Sequence, residues 1–149
     1  MDHATLGRHS AAPHYAKVVA IGAALALVLF LMMPFAAGPM GVGFSGWTML
    51  GQAKPIMMLA ILAGMVFGLF GVYVLCTMAG GVALLLLFRA AGQVEQTAST
   101  MLANNTQSLD TVGGAATYLM ANQIGLQWGA GFAFLAAAVL TASILFYRR

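Results

Sequence analysis

The run from Pro55 to Phe88 contains no charged residue, and this feature constrains the fold more than any other. As one helix it would be about 51 Å long at ~1.5 Å per residue, whereas the hydrocarbon core of a bilayer is only ~30 Å thick. The run is therefore either one steeply tilted or protruding helix, or a hairpin of two shorter helices.

The composition of the whole chain is typical of a membrane protein. Of its 149 residues 62% are hydrophobic and 6% are charged, against roughly 25% charged residues in an average soluble domain. A chain of this kind lacks the polar residues that would cover a folded surface in water. We expect an all-α integral membrane protein, a small helical bundle in contact with the lipid bilayer.

Four spans are predicted if the long run folds as a hairpin. The first apolar run follows Lys17, and the last one precedes the C-terminal arginines. The predicted organisation is a cytoplasmic tail at 1–17 and a single transmembrane domain at 18–149, with spans at about 18–37, 55–71, 74–89 and 129–147 and outer loops at 38–54 and 90–127.

The hairpin itself is the open point of this prediction. Tyr73 and Thr77 carry the hydroxyl groups of the run and favour a turn near residues 71–77, because tyrosine prefers the headgroup level. However, no Pro, Asn or Asp marks a turn there, and small residues keep one i,i+4 register through it. The alternative is a three-span protein with one long helix over 55–88.

Basic and aromatic residues flank the spans and predict their orientation. Lys and Arg beside spans are retained on the cytoplasmic side, so the basic residues near both chain ends place both termini there and require an even number of spans. In the three-span alternative the C-terminal arginine pair would lie outside. The predicted interface anchors are Lys17, Trp47, Lys54, Arg89, Trp128, Tyr147, Arg148 and Arg149.

Small residues recur at four-residue spacing and predict where helices pack. Burial of apolar surface does not drive helix association in lipid, so close approach of backbones through Gly, Ala, Ser and Thr becomes important. The pattern is shorter in the first span, at Gly22 and Ala26, and the sequence leaves open whether these faces close the protein on itself or bind a partner. The main predicted packing residues are Gly64, Gly68, Gly125, Gly129, Ala133, Ala137 and Thr141.

The residues that could support catalysis or ligand binding are few. Glu95 and Asp110 lie in the polar loop as solubilising charges. The interiors of the predicted spans contain no Asp, Glu, Lys, Arg or His, which argues against a proton-coupled pump. The irregular spacing of His3, His9 and His14 and the scattered methionines favour a hydrated tail and packing over copper binding. The sequence contains no phosphate loop or nucleophile elbow. We predict no enzyme, no metal site and no cofactor.

Three hypotheses of function follow from these patterns. The first is a non-catalytic accessory or structural subunit of an inner-membrane complex, whose partners are other membrane subunits or a second copy of the chain. The second is a small homo-oligomeric transporter or channel, and the third is a membrane immunity or protective protein. The basic residues are dispersed, so no nucleic-acid partner is expected. Because no cleavable signal, organellar leader or lipidation motif is recognised, we expect a bacterial inner membrane.

Overall fold

The computed structural model describes residues 12–38, 42–105 and 124–146, which form four long helices and a small β-sheet. The predicted helical bundle is therefore observed, whereas the sheet was not predicted. The elements in chain order are α1 (Ala12–Met32), β1 (Pro34–Ala37), β2 (Gly43–Ser45), α2 (Gly46–Leu50), a 3-10 turn (Gly51–Ala53), α3 (Lys54–Phe70), α4 (Tyr73–Asn105), β3 (Gly125–Leu126), α5 (Trp128–Thr141) and a second 3-10 turn (Ala142–Phe146).

The four long helices alternate in direction around the bundle. Helix α1 packs against α3 and α5, and α4 packs against the same two helices from the opposite corner. Lys17 near the start of α1 lies beside Gly71 at the end of α3, and Thr77 near the start of α4 lies beside Ser143 after α5. We call this end, which carries Gly71, the turn end, and the opposite end, which carries the strands, the sheet end.

Three segments are long and apolar enough to cross a membrane. They are His14–Met32, Gly46–Phe70 and Tyr73–Ala103, judged by length and composition. Helix α5 is apolar as well but has only 14 residues, about 21 Å at ~1.5 Å per residue. The 3-10 turn that follows it adds about 10 Å at ~2 Å per residue.

A glycine breaks the long uncharged run into two antiparallel helices. Gly71 has a φ of 73°, in the left-handed region, and its N–H and that of Val72 donate to the carbonyl oxygens of Gly68 and Phe67. This is the hydrogen-bond pattern of a Schellman motif, which satisfies the last carbonyls of a helix. The break lies within the predicted turn region, and a continuous helix over 55–88 is not formed.

Prolines position the neighbouring helix ends. Helix α1 ends at Met32, two residues before Pro34, since a proline disfavours helical geometry in the residue that precedes it. The predicted span at 18–37 is therefore wrong at its end, because residues 34–37 form β1. Pro55 lies in the first turn of α3, where its missing N–H has no helical acceptor to lose.

The predicted outer loop at 90–127 is also corrected by the structure. Helix α4 continues without a break to Asn105, so its 33 residues extend about 50 Å. Its sheet-end part keeps a buried side, because Val94 belongs to the same core as Phe35 in β1. This buried side supports helical structure in the polar segment, where the four- and three-residue spacing of Val94, Ala98 and Met101 also favours a helix.

The sheet closes the sheet end of the bundle. Strand β1 lies between β2 and β3 and pairs antiparallel with both. Ala36 is opposite Phe44 on one side and Leu126 on the other. The predicted loop at 38–54 thus contains a strand, a short helix and a 3-10 turn, and Ser45 caps α2 by accepting a hydrogen bond from the N–H of Thr48 at 3.4 Å.

Candidate functional site

Close backbone contacts hold the four helices together at small residues. An ideal Cβ atom on Gly64 would lie 3.0 Å from a methyl carbon of Leu140, and one on Gly68 would lie 3.3 Å from the Cβ of Ala20. Both glycines of the predicted pair in α3 therefore face other helices of the same chain. They allow an approach that a larger side chain would prevent.

A very close backbone contact joins α4 and the end of α5 at Gly80. A Cβ atom there would lie 2.5 Å from the backbone N of Thr141 and 2.9 Å from the carbonyl carbon of Leu140. The hydroxyl of Thr141 donates to the carbonyl oxygen of Ala137 at 2.8 Å, which keeps this polar group satisfied inside the apolar bundle.

The predicted row of small residues in the last span is only partly helical. Gly129, Ala133 and Ala137 lie on α5 and are buried inside the chain, and Thr141 ends the helix against Gly80. At Gly129 a Cβ atom would collide with the carbonyl oxygen of Pro34. Gly125, by contrast, belongs to β3 and has no atom within 4 Å of an ideal Cβ. The row therefore closes the protein on itself.

The turn end contains a small set of buried polar contacts. Ser143 is fully buried, and its hydroxyl lies 3.5 Å from that of Thr77 on α4. The Sγ of Cys76, also fully buried, donates to the carbonyl oxygen of Gly64 at 3.6 Å. Each of these groups has a partner within the bundle, so they serve packing and leave no open reactive thiol.

The predicted interface anchors lie at the two ends of the bundle. Lys17 lies at the turn end, with its Cε 3.5 Å from the ideal Cβ position of Gly71. At the sheet end Lys54 and Arg89 are exposed, and Trp128 is 56% exposed and packs edge-on against Phe132. Trp47 is half-buried in α2, and its indole N–H has no hydrogen-bond partner among the described residues. Tyr147, Arg148 and Arg149 lie outside the described residues.

Metal-binding or acid–base clusters are not found in the part of the chain that the structure describes. No group of three His, Cys, Asp or Glu side chains there could hold a metal ion. His14 is exposed on α1, and Glu95 is exposed on the sheet-end part of α4. His3, His9 and Asp110 lie outside the described residues.

Two further glycines face outward rather than into the bundle. Gly22 on α1 and Gly131 on α5 are exposed, and no atom lies within 4 Å of an ideal Cβ atom at either position. A glycine inside a helix costs about 1 kcal/mol of helix stability relative to alanine. At these two positions no contact within the chain requires it.

Comparison with family models, with curated proteins and with solved structures finds no match for this chain.

Two features of the structure each join residues that the sequence did not connect. One is the contact of Gly80 with Thr141, whose signal was the row of small residues that continues through the hairpin turn. The other is a hollow at the sheet end that is lined by Arg89, Gln52 and Gln93. Sequence alone could not join these three residues, because Gln52 reaches the hollow only when α3 folds back onto α4.

Proposed function

We propose that this chain is a four-span integral membrane protein that serves as a non-catalytic accessory or structural subunit of an inner-membrane complex. Membrane insertion is supported by three helices of sufficient length and apolar composition. The fourth span is α5 with its 3-10 turn, which together extend about 31 Å, close to the ~30 Å of a bilayer core. The alternation of the helices then puts both ends of the described chain on one side.

The observation that carries the accessory role is the pair of outward glycines, Gly22 and Gly131. The buried glycines of the bundle each meet a neighbouring helix or strand, whereas these two leave open notches on the outer faces of α1 and α5. In lipid, notches of this kind let a second helix approach closely, and that approach replaces the hydrophobic driving force that water would supply. We infer that helices of another subunit pack at these positions.

Substitutions that test partner binding must lie at the outward glycines and not at the buried packing residues. Substitutions at Gly129 or Ala133 would disturb the bundle, because both residues are buried within the chain. At each outward glycine no atom of the chain lies within 4 Å of an ideal Cβ atom, so a bulky side chain there has room. They therefore leave the fold intact and block only a helix that approaches from outside.

The test is affinity purification of the tagged chain from its native membrane in a mild detergent, with co-purifying proteins identified by mass. We expect a stoichiometric partner with the wild-type chain, and at least a tenfold lower yield of that partner with Gly22→Leu or Gly131→Leu. Val18→Leu is the matched control, because Val18 is 68% exposed on α1 and already has a branched side chain.

The other outcomes distinguish the competing functions. A pure homo-oligomer that is sensitive to Gly22→Leu would contradict the accessory role and favour the homo-oligomeric transporter or channel, which solute flux in liposomes would then test. A partner whose yield is the same with both leucine variants as with the wild-type chain would show that the outward glycines are not the docking positions.

A further inference from the structure

A groove runs along the outer side of the seam between α3 and α4. Its sheet-end part is a hollow of about 410 Å³ with the polar side chains Arg89, Gln52 and Gln93 in its lining. Toward the turn end lies an apolar hollow of about 310 Å³, lined mainly by Leu, Met, Ala, Val and Phe. Ile56 lines both hollows, so they form consecutive parts of one groove.

The two helices supply one continuous stripe each to this groove. On α4 the stripe includes Leu75, Val82, Leu86 and Arg89, at spacings of seven, four and three residues that keep side chains on one helix face. Between Tyr73, where α4 begins, and Arg89 the helix rises about 24 Å, which is about 6 Å less than a ~30 Å bilayer core. When Tyr73 lies near the opposite surface, the long side chain of Arg89 can extend over this distance to the headgroup level.

The positive charge of Arg89 is not neutralised within the described residues. Glu95, the one carboxylate among them, lines a different hollow together with Phe88 and Ala98. Lys54 also lies at this end of the bundle, but it does not line the hollow. The polar part of the groove therefore offers a cation and two amide groups to a ligand that carries negative charge.

We propose that the groove between α3 and α4 binds one anionic phospholipid, with its phosphate at Arg89, Gln52 and Gln93 and an acyl chain along the apolar part. A guanidinium forms paired, charge-assisted hydrogen bonds to phosphate oxygens, and amide N–H groups complete such a site. Half a bilayer core is ~15 Å, which is about ten residues of helix, so an acyl chain from Arg89 ends near Ala79 in the apolar hollow.

This inference rests on the membrane insertion proposed above but not on the accessory role. The test begins with vesicles of phosphatidylcholine that contain a minor share of phosphatidylglycerol. The wild-type chain and each variant are first checked for flotation with the vesicles, and the lipids retained after mild detergent extraction are then counted by native mass spectrometry. A chain that does not float would overturn both proposals, whereas one that floats without retained lipid overturns only the lipid site.

We expect the wild-type chain to retain one phosphatidylglycerol in preference to phosphatidylcholine, and Arg89→Gln to reduce this preference about tenfold, the effect of one lost charge-assisted contact. Lys54→Gln is the matched control, because Lys54 lies at the same end but not in the lining of the hollow. An equal loss with both variants would indicate general surface attraction and contradict a specific site.

Two further measurements separate a lipid from a simpler anion. Val82→Phe fills the groove below the polar hollow while it leaves Arg89 in place, so we expect it to reduce retention of phosphatidylglycerol as well. Inorganic phosphate at millimolar concentration should not displace the lipid, because it lacks the acyl chain. Full displacement by phosphate, or unchanged retention with Val82→Phe, would overturn the assignment of the groove to a phospholipid.

Discussion

Gly80 on α4 and Thr141 at the end of α5 are in direct backbone contact, with the Thr141 N only 2.5 Å from the place a Cβ atom of residue 80 would occupy. Because residue 80 is a glycine and has no side chain, the end of α5 can approach the backbone of α4 at this point. The contact places Leu140, which is fully buried, between α3 and α4 and near Ala20 of α1. The glycine at position 80 thus allows the last helix to pack closely against the rest of the bundle.

Gly80→Ala should lower the stability of the bundle. The added methyl group cannot be accommodated without moving the backbone of Thr141, and overpacking of this kind costs about 1–3 kcal/mol. The measurement is thermal unfolding in detergent, followed by circular dichroism. Gly81→Ala is the control, because no atom lies within 4 Å of its Cβ position, and alanine should keep or raise the unfolding temperature there. Equal unfolding temperatures for the two variants would disprove the contact.

Gly71→Ala should destabilise the turn between α3 and α4 through its backbone. With a φ of 73°, residue 71 is in a region where an L side chain costs about 1–2 kcal/mol. Gly71→Asn should lose less stability than Gly71→Ala, because asparagine tolerates the left-handed region better than alanine. Unfolding temperatures in detergent should therefore decrease in the order Gly, Asn, Ala. The opposite order of the two variants would mean that side-chain contact, not backbone geometry, controls this turn.

Cys76 should resist alkylation in the folded protein. Its side chain is fully buried, and its thiol donates to the carbonyl oxygen of Gly64. A maleimide reagent added to the protein in mild detergent should modify Cys76 at least a hundredfold more slowly than it modifies the unfolded chain, because reaction requires opening of the bundle. Gly80→Ala should increase this rate, and fast labelling of the wild-type protein would contradict the packing of α3 on α4.

Cysteine labelling should also test the proposed four-span arrangement. In a Cys76→Ala background, His14→Cys and Gln96→Cys place thiols at exposed positions of the turn end and the sheet end. A membrane-impermeant maleimide should modify them from opposite sides of a sealed vesicle. Arg149→Cys should be modified from the same side as His14→Cys, since four spans return the chain to its starting side. Labelling of residues 14 and 149 from opposite sides would support three spans instead.

Local sequence patterns were sufficient to predict the helices and their limits in several places. A charge-free run longer than a bilayer needs either a tilt or a turn, and the hydroxyl-bearing residues Tyr73 and Thr77 favoured a turn near residues 71–77. The predicted span at about 55–71 begins within one residue of the start of α3, where Pro55 fits because a proline has no N–H to lose in the first helical turn. The four-residue rows predicted that Gly64, Gly68 and Ala133 lie at helix contacts, since one side of a helix repeats about every 3.6 residues.

The tertiary structure decided which helix each small residue meets and where the polar segments fold. Gly129 and Gly131 have the same local composition around them, yet one is against Pro34 and the other faces outward. The extension of α4 to Asn105 depends on Val94 reaching the core of the sheet end, and β1 depends on strands from residues 43–45 and 125–126. Contacts between residues so distant in the chain carry no periodic signal, because their energy exists only once the bundle has formed. The sequence therefore determined the helices and their apolar composition, and the fold determined which helices and strands pack together.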